Sequence, residues 1–200
     1  MLVGRSKTIY TVGYIRKVRC PMQKFSRSSL RFIIALLILV GASVPRQYAV
    51  AGGTVGNGTP ASCTEAAFNT ALSGGGTITF NCGAGSKTIL LTTEKTITQN
   101  TTINGGKKIT LSAGGGRRIF LVSSGVSFNL TNLSLTQGKS ILGGAIYNDG
   151  NMAITNSTIF SNNAPGSLGG AIYNSVVGVL TITGSVLSGN AASNGSSGGI

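Results

Sequence analysis

A six-residue segment that occurs twice constrains the fold of this chain more than any other feature. Residues 143–148 read GGAIYN, and the same letters return at residues 169–174, an offset of 26. The last four residues, 197–200 (SGGI), read as the start of a third copy at an offset of 28. A period of about 20–30 residues is typical of a solenoid, in which each turn buries its apolar face only by stacking on the next.

A second set of positions recurs around these copies. Apolar residues return at offsets of 24 and 28, which predicts three columns of stacked core residues. The columns are Phe128/Met152/Leu180, Leu130/Ile154/Ile182 and Leu135/Ile159/Leu187. The runs from Thr77 onward, such as TITF, KKITL and RIFLV, are short, rich in β-branched residues and broken by glycine or asparagine, a pattern that indicates strands.

These repeats predict an all-β chain that folds as a parallel β-helix, or β-solenoid. Glycine, which makes up 31 of the 200 residues, and asparagine are expected to supply the positive φ angles of the turns. Asparagines at equivalent positions, such as Asn148 and Asn174, are expected to form amide ladders along the stack. A β-sandwich also contains many short strands, but it offers no reason for identical hexapeptides one period apart.

The first fifty residues have the features of a secretory signal peptide. A basic stretch at residues 22–31 precedes an apolar run of eleven residues at 32–42 and then Ala49-Val50-Ala51, which predicts export with cleavage after Ala51. The run is too short for a helix to cross a bilayer core of about 30 Å, although a retained membrane anchor is the alternative interpretation. Because a signal peptide begins near its own methionine, we expect translation to start at Met22, with residues 1–21 as an upstream extension.

Beyond the predicted cleavage site the chain divides into two parts. Residues 52–76 are expected to form an N-terminal cap with a short helix, and residues 77–200 to form β-helix turns that stop in mid-repeat. Ser62 and Glu65 fit a capping box, with Ser62 as the N-cap and Glu65 reaching back to it. The packing face of the helix is expected to consist of Ala67, Phe68, Ala71 and Leu72. Such a helix would cover the first open edge of the stack.

Two cysteines, Cys63 and Cys82, remain after the predicted cleavage. In an oxidising compartment they are expected to form a disulfide that closes a loop of about twenty residues. Two buried free thiols are the alternative. No Cys-x-x-Cys spacing occurs in the sequence, so a zinc or redox site is not expected.

The chain is poor in the side chains that most enzymes use. It contains no histidine and three acidic residues, Glu65, Glu94 and Asp149. Without histidine, Ser-His-Asp and Cys-His catalysis and imidazole metal sites are excluded, and three acids are too few for a calcium site. A glycosidase needs two carboxylates within about 10 Å, which Glu94 and Asp149 would reach only through stacking. We therefore predict no catalytic residue, metal site or cofactor within residues 52–200.

The net charge of +13 is concentrated before the predicted cleavage site. Nine of the sixteen basic residues precede residue 51, which leaves a net charge of +4 on the remainder, and nucleic acid is not an expected partner. Lys107-Lys108 and Arg117-Arg118 are interpreted as solvated charges beside turns. Asp149 lies in Asn148-Asp149-Gly150, a sequence typical of a tight turn.

The repeated hexapeptide also contains a candidate ligand face. If Ile146 and Ile172 point into the core, the period-two alternation of a strand directs Tyr147 and Tyr173 outward. Stacked tyrosines flanked by amides are suited to holding a sugar chain or a partner strand. The candidate face consists of Tyr147, Tyr173, Asn148 and Asn174. A purely structural aromatic stack is the alternative.

Several of these motifs resemble those of a known group of proteins. The GGAIYN segments, ITNST at 154–158 and FSNN at 160–163 resemble the GGA[ILV] and FxxN repeats of bacterial polymorphic outer-membrane proteins and related exported β-helix proteins. Residues 63–83 resemble the N-terminal cap of the same exported proteins. The resemblance covers residues 55–200 and implies a right-handed parallel β-helix that is secreted or exposed at the cell surface.

The resemblance implies two classes of function. With so few acidic residues, we expect a non-catalytic role as an adhesin or display scaffold, with carbohydrate or the surface of a host or neighbouring cell as the partner. The alternative is the N-terminal part of a polysaccharide lyase or hydrolase whose catalytic residues follow residue 200. Pectate lyases share this fold with non-enzymatic adhesins, so the fold alone does not decide between the two.

Overall fold

The structure is a computed structural model that describes residues 52–166, 168–193 and 198–200. The predicted signal peptide, its cleavage after Ala51 and the start at Met22 lie outside the described residues. In the described part of the chain, no helix is long and apolar enough to cross a membrane.

Strands dominate the described residues. The helical segments are a 3-10 turn at Pro60–Ser62 and the helix α1 at Glu65–Leu72. The strands are β1 (Thr54–Val55), β2 (Gly76–Phe80), β3 (Lys87–Leu90), β4 (Lys95–Ile97), β5 (Thr101–Ser112), β6 (Phe120–Val122), β7 (Ser127–Thr136), β8 (Ile146–Asn148), β9 (Asn151–Thr155), β10 (Thr158–Phe160), β11 (Asn163–Ala164), β12 (Ile172–Asn174), β13 (Val179–Thr183), β14 (Val186–Ser188) and β15 (Ala191–Ala192).

The strands pair in parallel between successive turns of the chain. One sheet has the order β1-β2-β5-β7-β10-β14, with β3 paired to β5 and β9 paired to both β7 and β13. A second sheet has the order β12-β8-β6-β4, and a third pairs β11 with β15. The chain therefore winds as a parallel β-solenoid of about six turns, which confirms the fold class predicted from the repeats.

The predicted columns of core residues are confirmed by the strand register. Phe128 pairs with Met152, which pairs with Leu180, and the other two columns follow in the same way. Ile146 likewise lies over Ile172. The side chains of the first two turns in each column are fully buried, whereas Leu180, Ile182 and Leu187 are half-buried. Because the columns run from turn to turn, the core is a continuous rod of apolar contacts. Full burial of each such side chain contributes about 1.5–3 kcal/mol.

Residues with positive φ angles mark the corners of the turns. One corner contains Asn132, Asn156 and Gly184, with φ angles of 54°, 48° and 57°. This confirms that asparagine and glycine supply left-handed turn conformations. The next corner places Gln137 and Ser161 in the same conformation, although neither residue type favours it. The backbone strain at Gln137 and Ser161 is tolerated because the neighbouring turns hold the backbone in place through their hydrogen bonds.

The two glycines of each GGAIYN segment have different roles. Gly143 and Gly169 have φ angles of 63° and 65°, a conformation that glycine adopts without steric cost. Gly144 lies where successive turns approach closely, because a Cβ atom there would meet the carbonyl oxygen of Gly170 and, at 2.7 Å, the backbone of Asn163. The second glycine is therefore required by the spacing between turns.

A methyl group at Gly144 tests this requirement. We expect Gly144→Ala to lower the free energy of unfolding of the full chain by about 3 kcal/mol, because the turns must separate to admit the added atom. Gly85→Ala is the matched control, since the space around that Cβ position is open, and its effect should stay within about 0.5 kcal/mol. Urea titration measures both variants, and equal effects would contradict a close-approach role for Gly144.

The N-terminal region confirms the predicted helix and corrects its cap. Thr64, not Ser62, is the N-cap, and its Oγ1 accepts a hydrogen bond of 3.1 Å from the Ala67 amide. Ser62 belongs instead to the preceding 3-10 turn, where its hydroxyl bonds Thr59. Glu65 does not reach back to the cap, because its carboxylate is bonded to residues of the next turn. The predicted capping box is therefore wrong, because Ser62 lies in the 3-10 turn and the helix begins only at Glu65.

The helix and the cysteine pair fix the chain to the first strands. Phe68 is fully buried and its ring centre lies 6.0 Å from that of Phe80. The rest of the predicted packing face is partly buried against the core and consists of Ala67, Ala71 and Leu72. Cys63 and Cys82 lie at disulfide distance, with Cα atoms 5.6 Å apart, as the sequence predicts.

Candidate functional site

The tyrosines of the repeat project from the outer side of the sheet β4-β6-β8-β12. Ile146 and Ile172 are fully buried, so alternation along β8 and β12 directs Tyr147 and Tyr173 to the outer side, where they are half-buried. The two ring centres lie 5.2 Å apart with an interplanar angle of 34°. Leu121 of β6 and Thr96 of β4 continue the same row, one residue per turn. We call these four residues the outer row.

Arg118, which lies just before β6, is hydrogen-bonded to both the preceding and the following turn. Its Nε donates a hydrogen bond of 2.8 Å to Glu94, and an Nη donates one of 3.0 Å to the Leu142 carbonyl. The guanidinium carbon lies 5.2 Å from the centre of the Tyr147 ring, a distance that suits a cation–π contact. The Arg118 side chain is only 13% exposed.

These contacts correct the interpretation of Arg117-Arg118 as solvated charges. Arg117 also donates to a carbonyl oxygen, that of Leu91, over 2.8 Å. Each arginine bonds a residue on a neighbouring turn, which sequence adjacency does not reveal. Lys107 and Lys108 are exposed, as predicted.

Asp149 combines a turn role with an electrostatic one. Its amide donates to the Val122 carbonyl, and in the same bend the Gly150 amide donates to the Asn148 side chain, in keeping with the predicted turn. Burial raises the pKa of the Tyr147 phenol, the negative charge of Asp149 and the nearby Tyr173 raise it further, and Arg118 lowers it. A hydrogen bond to the Asp149 side chain raises the pKa of the Tyr147 phenol as well, so the phenol favours its neutral form.

The predicted amide ladder is present, and it removes two residues from the candidate ligand face. The Asn148 amide donates to Asn174 over 2.7 Å and also to the Gly150 and Val179 carbonyls. Asn148 is fully buried, so it cannot reach a ligand. The Asn174 amide is likewise bonded to the Gly178 carbonyl over 2.7 Å. Both asparagines serve the stack, and the candidate face reduces to Tyr147 and Tyr173.

Removing one rung of this ladder should cost stability. We expect Asn148→Ala to lower the free energy of unfolding by about 2–4 kcal/mol, because it leaves buried carbonyl and amide groups without partners. Asn151→Ala is the matched control, because Asn151 is exposed at the start of β9, and it should change stability by less than about 0.5 kcal/mol. Urea unfolding of both variants measures the difference, and a cost below about 1 kcal/mol for Asn148→Ala would contradict the ladder role.

A partly buried ion pair between α1 and β4 was not predicted from the sequence. Lys95 Nζ lies 2.5 Å from Glu65 Oε1, and the two side chains are 4% and 15% exposed. Burial by itself raises the pKa of Glu65, but hydrogen bonds from Lys95, Thr92 and Thr93 outweigh it and lower the pKa from 4.5 to about 2. The pair fixes the helix to the turn that begins the outer row.

The low pKa of Glu65 makes stability depend on pH. Because the folded-state pKa lies below the unfolded-state value, the ionised carboxylate stabilises the fold above about pH 4.5, and this contribution is lost as the pH falls toward 2. We expect Glu65→Gln to cost about 3 kcal/mol at pH 6, because Lys95 then lacks its charged partner. The difference from wild type should shrink toward zero near pH 2. Urea titrations across this range test the pair, and a pH-independent difference would contradict it.

A groove lies between the C-terminal end of α1 and β4. Its volume is about 260 Å³, and most of its lining side chains are polar. Asn69 and Ser73 contribute from the helix side. The other wall includes Glu94, Thr96, Thr98 and Gln99. Only tertiary packing brings the helix residues and the β4 residues together.

No match emerged when the chain was compared with protein-family models, with curated proteins and with solved structures. Within the described ranges, histidine, cysteine, aspartate and glutamate form no group of three or more that could hold a metal ion. The arrangement of the candidate site therefore has to be interpreted from its own chemistry.

Proposed function

We propose that this chain is an exported, non-catalytic surface protein whose solenoid holds a binding face for adhesion. Carbohydrate, or the surface of a host or neighbouring cell, is the proposed partner. In this role it would act like the polymorphic outer-membrane proteins whose repeats its GGAIYN segments resemble. The signal peptide would direct it out of the cytoplasm, with cleavage after Ala51.

The pair of outward tyrosines is the observation that carries this proposal. The backbone beneath Tyr147 and Tyr173 is held by the buried Ile146 and Ile172 and by the Asn148–Asn174 bond. Arg118 further restrains Tyr147. Aromatic side chains that are already ordered lose little entropy when a ligand binds, so they favour affinity.

One further feature supports an extracellular scaffold. The Cys63–Cys82 pair suits an oxidising compartment. We propose that α1, which packs through Phe68 beside β1 and β2, caps the first turn and protects its edge strand. We also propose the right-handed winding that parallel crossover connections favour.

Replacement of both tyrosines separates a binding role from a structural one. We expect Tyr147→Ala/Tyr173→Ala to reduce binding at least ten-fold, because the aromatic surface is lost, while the free energy of unfolding changes by about 1 kcal/mol. The probes are intact bacterial and epithelial cells and immobilised polysaccharides, applied to the full chain. Phe160→Ala is the matched control, because Phe160 is a half-buried aromatic residue on another face of the solenoid.

Each outcome of this experiment has a definite meaning. Selective loss of binding in the double variant supports the proposed function. Unchanged binding together with lost stability makes the tyrosines a structural stack and overturns the role of this face. Binding to none of the probes by the wild-type chain overturns the adhesive function.

A further inference from the structure

The groove and the outer row form one continuous surface. Thr96 lines the groove and also belongs to the outer row, since it pairs with Leu121. Glu94 lines the groove as well, and it accepts a hydrogen bond from Arg118, which lies beside Tyr147. From Thr96 the surface continues across β6, β8 and β12, a path of about 14 Å at the usual strand spacing of ~4.8 Å. A ligand on this surface would run along the solenoid axis.

Several polar side chains that line the groove are exposed. The side chains of Asn69, Thr96, Thr98 and Gln99 make no hydrogen bond to any described residue. Buried asparagines such as Asn148, by contrast, are bonded within the stack. Leu72 provides an apolar part of the same lining. Free hydroxyl and amide groups beside an apolar floor suit a ligand that itself has hydroxyl groups and apolar faces.

The charges of the surface favour an uncharged ligand. Lys95 is paired with Glu65, and Arg118 with Glu94, so neither cation is left for an acidic polymer. Asp149 adds a negative charge beside Tyr147. The exposed Lys107 and Lys108 line other grooves. The two described cations of this path, Lys95 and Arg118, are thus each paired with a carboxylate, and a polyanion would be repelled by Asp149.

The direction of the surface distinguishes a glycan from a peptide strand. An added β-strand pairs along the edge of a sheet through its backbone. This surface instead crosses the outer face of the sheet, perpendicular to β4, β6, β8 and β12. Contacts along it come from side chains, one set per turn.

We propose that the groove between α1 and β4 and the outer row together bind one uncharged glycan chain lying along the solenoid axis. Thr96, Thr98, Gln99 and Asn69 bind its hydroxyl groups at one end, and Tyr147 and Tyr173 contact its sugar rings at the other. The inference rests on the adhesive function proposed above and specifies its ligand. It also adds the α1–β4 groove, about three turns from Tyr173, to the binding site.

Removal of two groove hydroxyls tests the extended site. The full chain is assayed against an immobilised neutral glucan, a galactomannan and a polygalacturonate, at low salt and at 0.5 M NaCl. We expect binding to a neutral polysaccharide that salt changes less than two-fold, because no ion pair with the ligand is involved. Thr96→Val/Thr98→Val should weaken it at least ten-fold, or about 1.4 kcal/mol.

A matched variant keeps this test specific. Thr181→Val/Thr183→Val changes two exposed threonines at the same spacing on β13, away from the groove, and should bind like wild type. Urea unfolding of both double variants confirms that the fold is retained.

The outcomes separate this inference from the proposed function. Equal binding by both double variants overturns the groove as part of the site. Salt-sensitive binding to polygalacturonate alone overturns the uncharged ligand. Binding to cells but to none of the polysaccharides overturns the glycan and leaves the adhesive function standing, with a protein partner as its explanation. Absence of binding to cells and polysaccharides overturns both.

Discussion

Parallel hydrogen bonding between successive turns is the interaction on which the whole structure depends. Each strand pairs with the strand one turn later at a fixed register, so a residue is placed directly over its equivalent about 4.8 Å away. Like side chains then contact like side chains, as in the columns of Ile146 over Ile172 and Ile154 over Ile182. No single turn has enough apolar surface to be stable alone, and the core exists only as the sum of the stacked turns.

The same register decides which polar side chains can be buried. The side chain of Asn162 is fully buried and bonds Asn190 over 2.9 Å, the Phe160 carbonyl and the Gly138 amide. Burial of an amide is costly unless its donors and acceptors are paired. Gly138 on the preceding turn, Phe160 on the same turn and Asn190 on the following turn supply those partners. The asparagines therefore hold the corners of adjacent turns together, while the glycines allow the backbones to approach.

Charged residues follow the same rule between turns. Glu65 bonds Lys95, and Glu94 bonds Arg118, across sequence separations of 30 and 24 residues. Two of the three acidic residues of the chain thus join neighbouring elements: Glu65 joins α1 to β4, and Glu94 joins its own turn to the next one. Along α1, β4 and the tyrosines, the described cations Lys95 and Arg118 are both paired with carboxylates. This pairing is the chemical basis for proposing an uncharged sugar chain as the ligand.

The repeated letters of the sequence determined the solenoid, the register of its core columns, the stacking of Tyr147 on Tyr173 and the Asn148–Asn174 ladder, because a fixed period leaves each turn one way to lie on the last. The pairing of Cys63 with Cys82 also followed from the sequence. Tertiary structure alone decided the N-cap at Thr64, the Glu65–Lys95 pair, the contacts of Arg118 and the groove beside α1. These involve residues without a repeat partner, so the period does not specify their neighbours. Their contacts depend on how the helix and the side chains of adjacent turns pack in space.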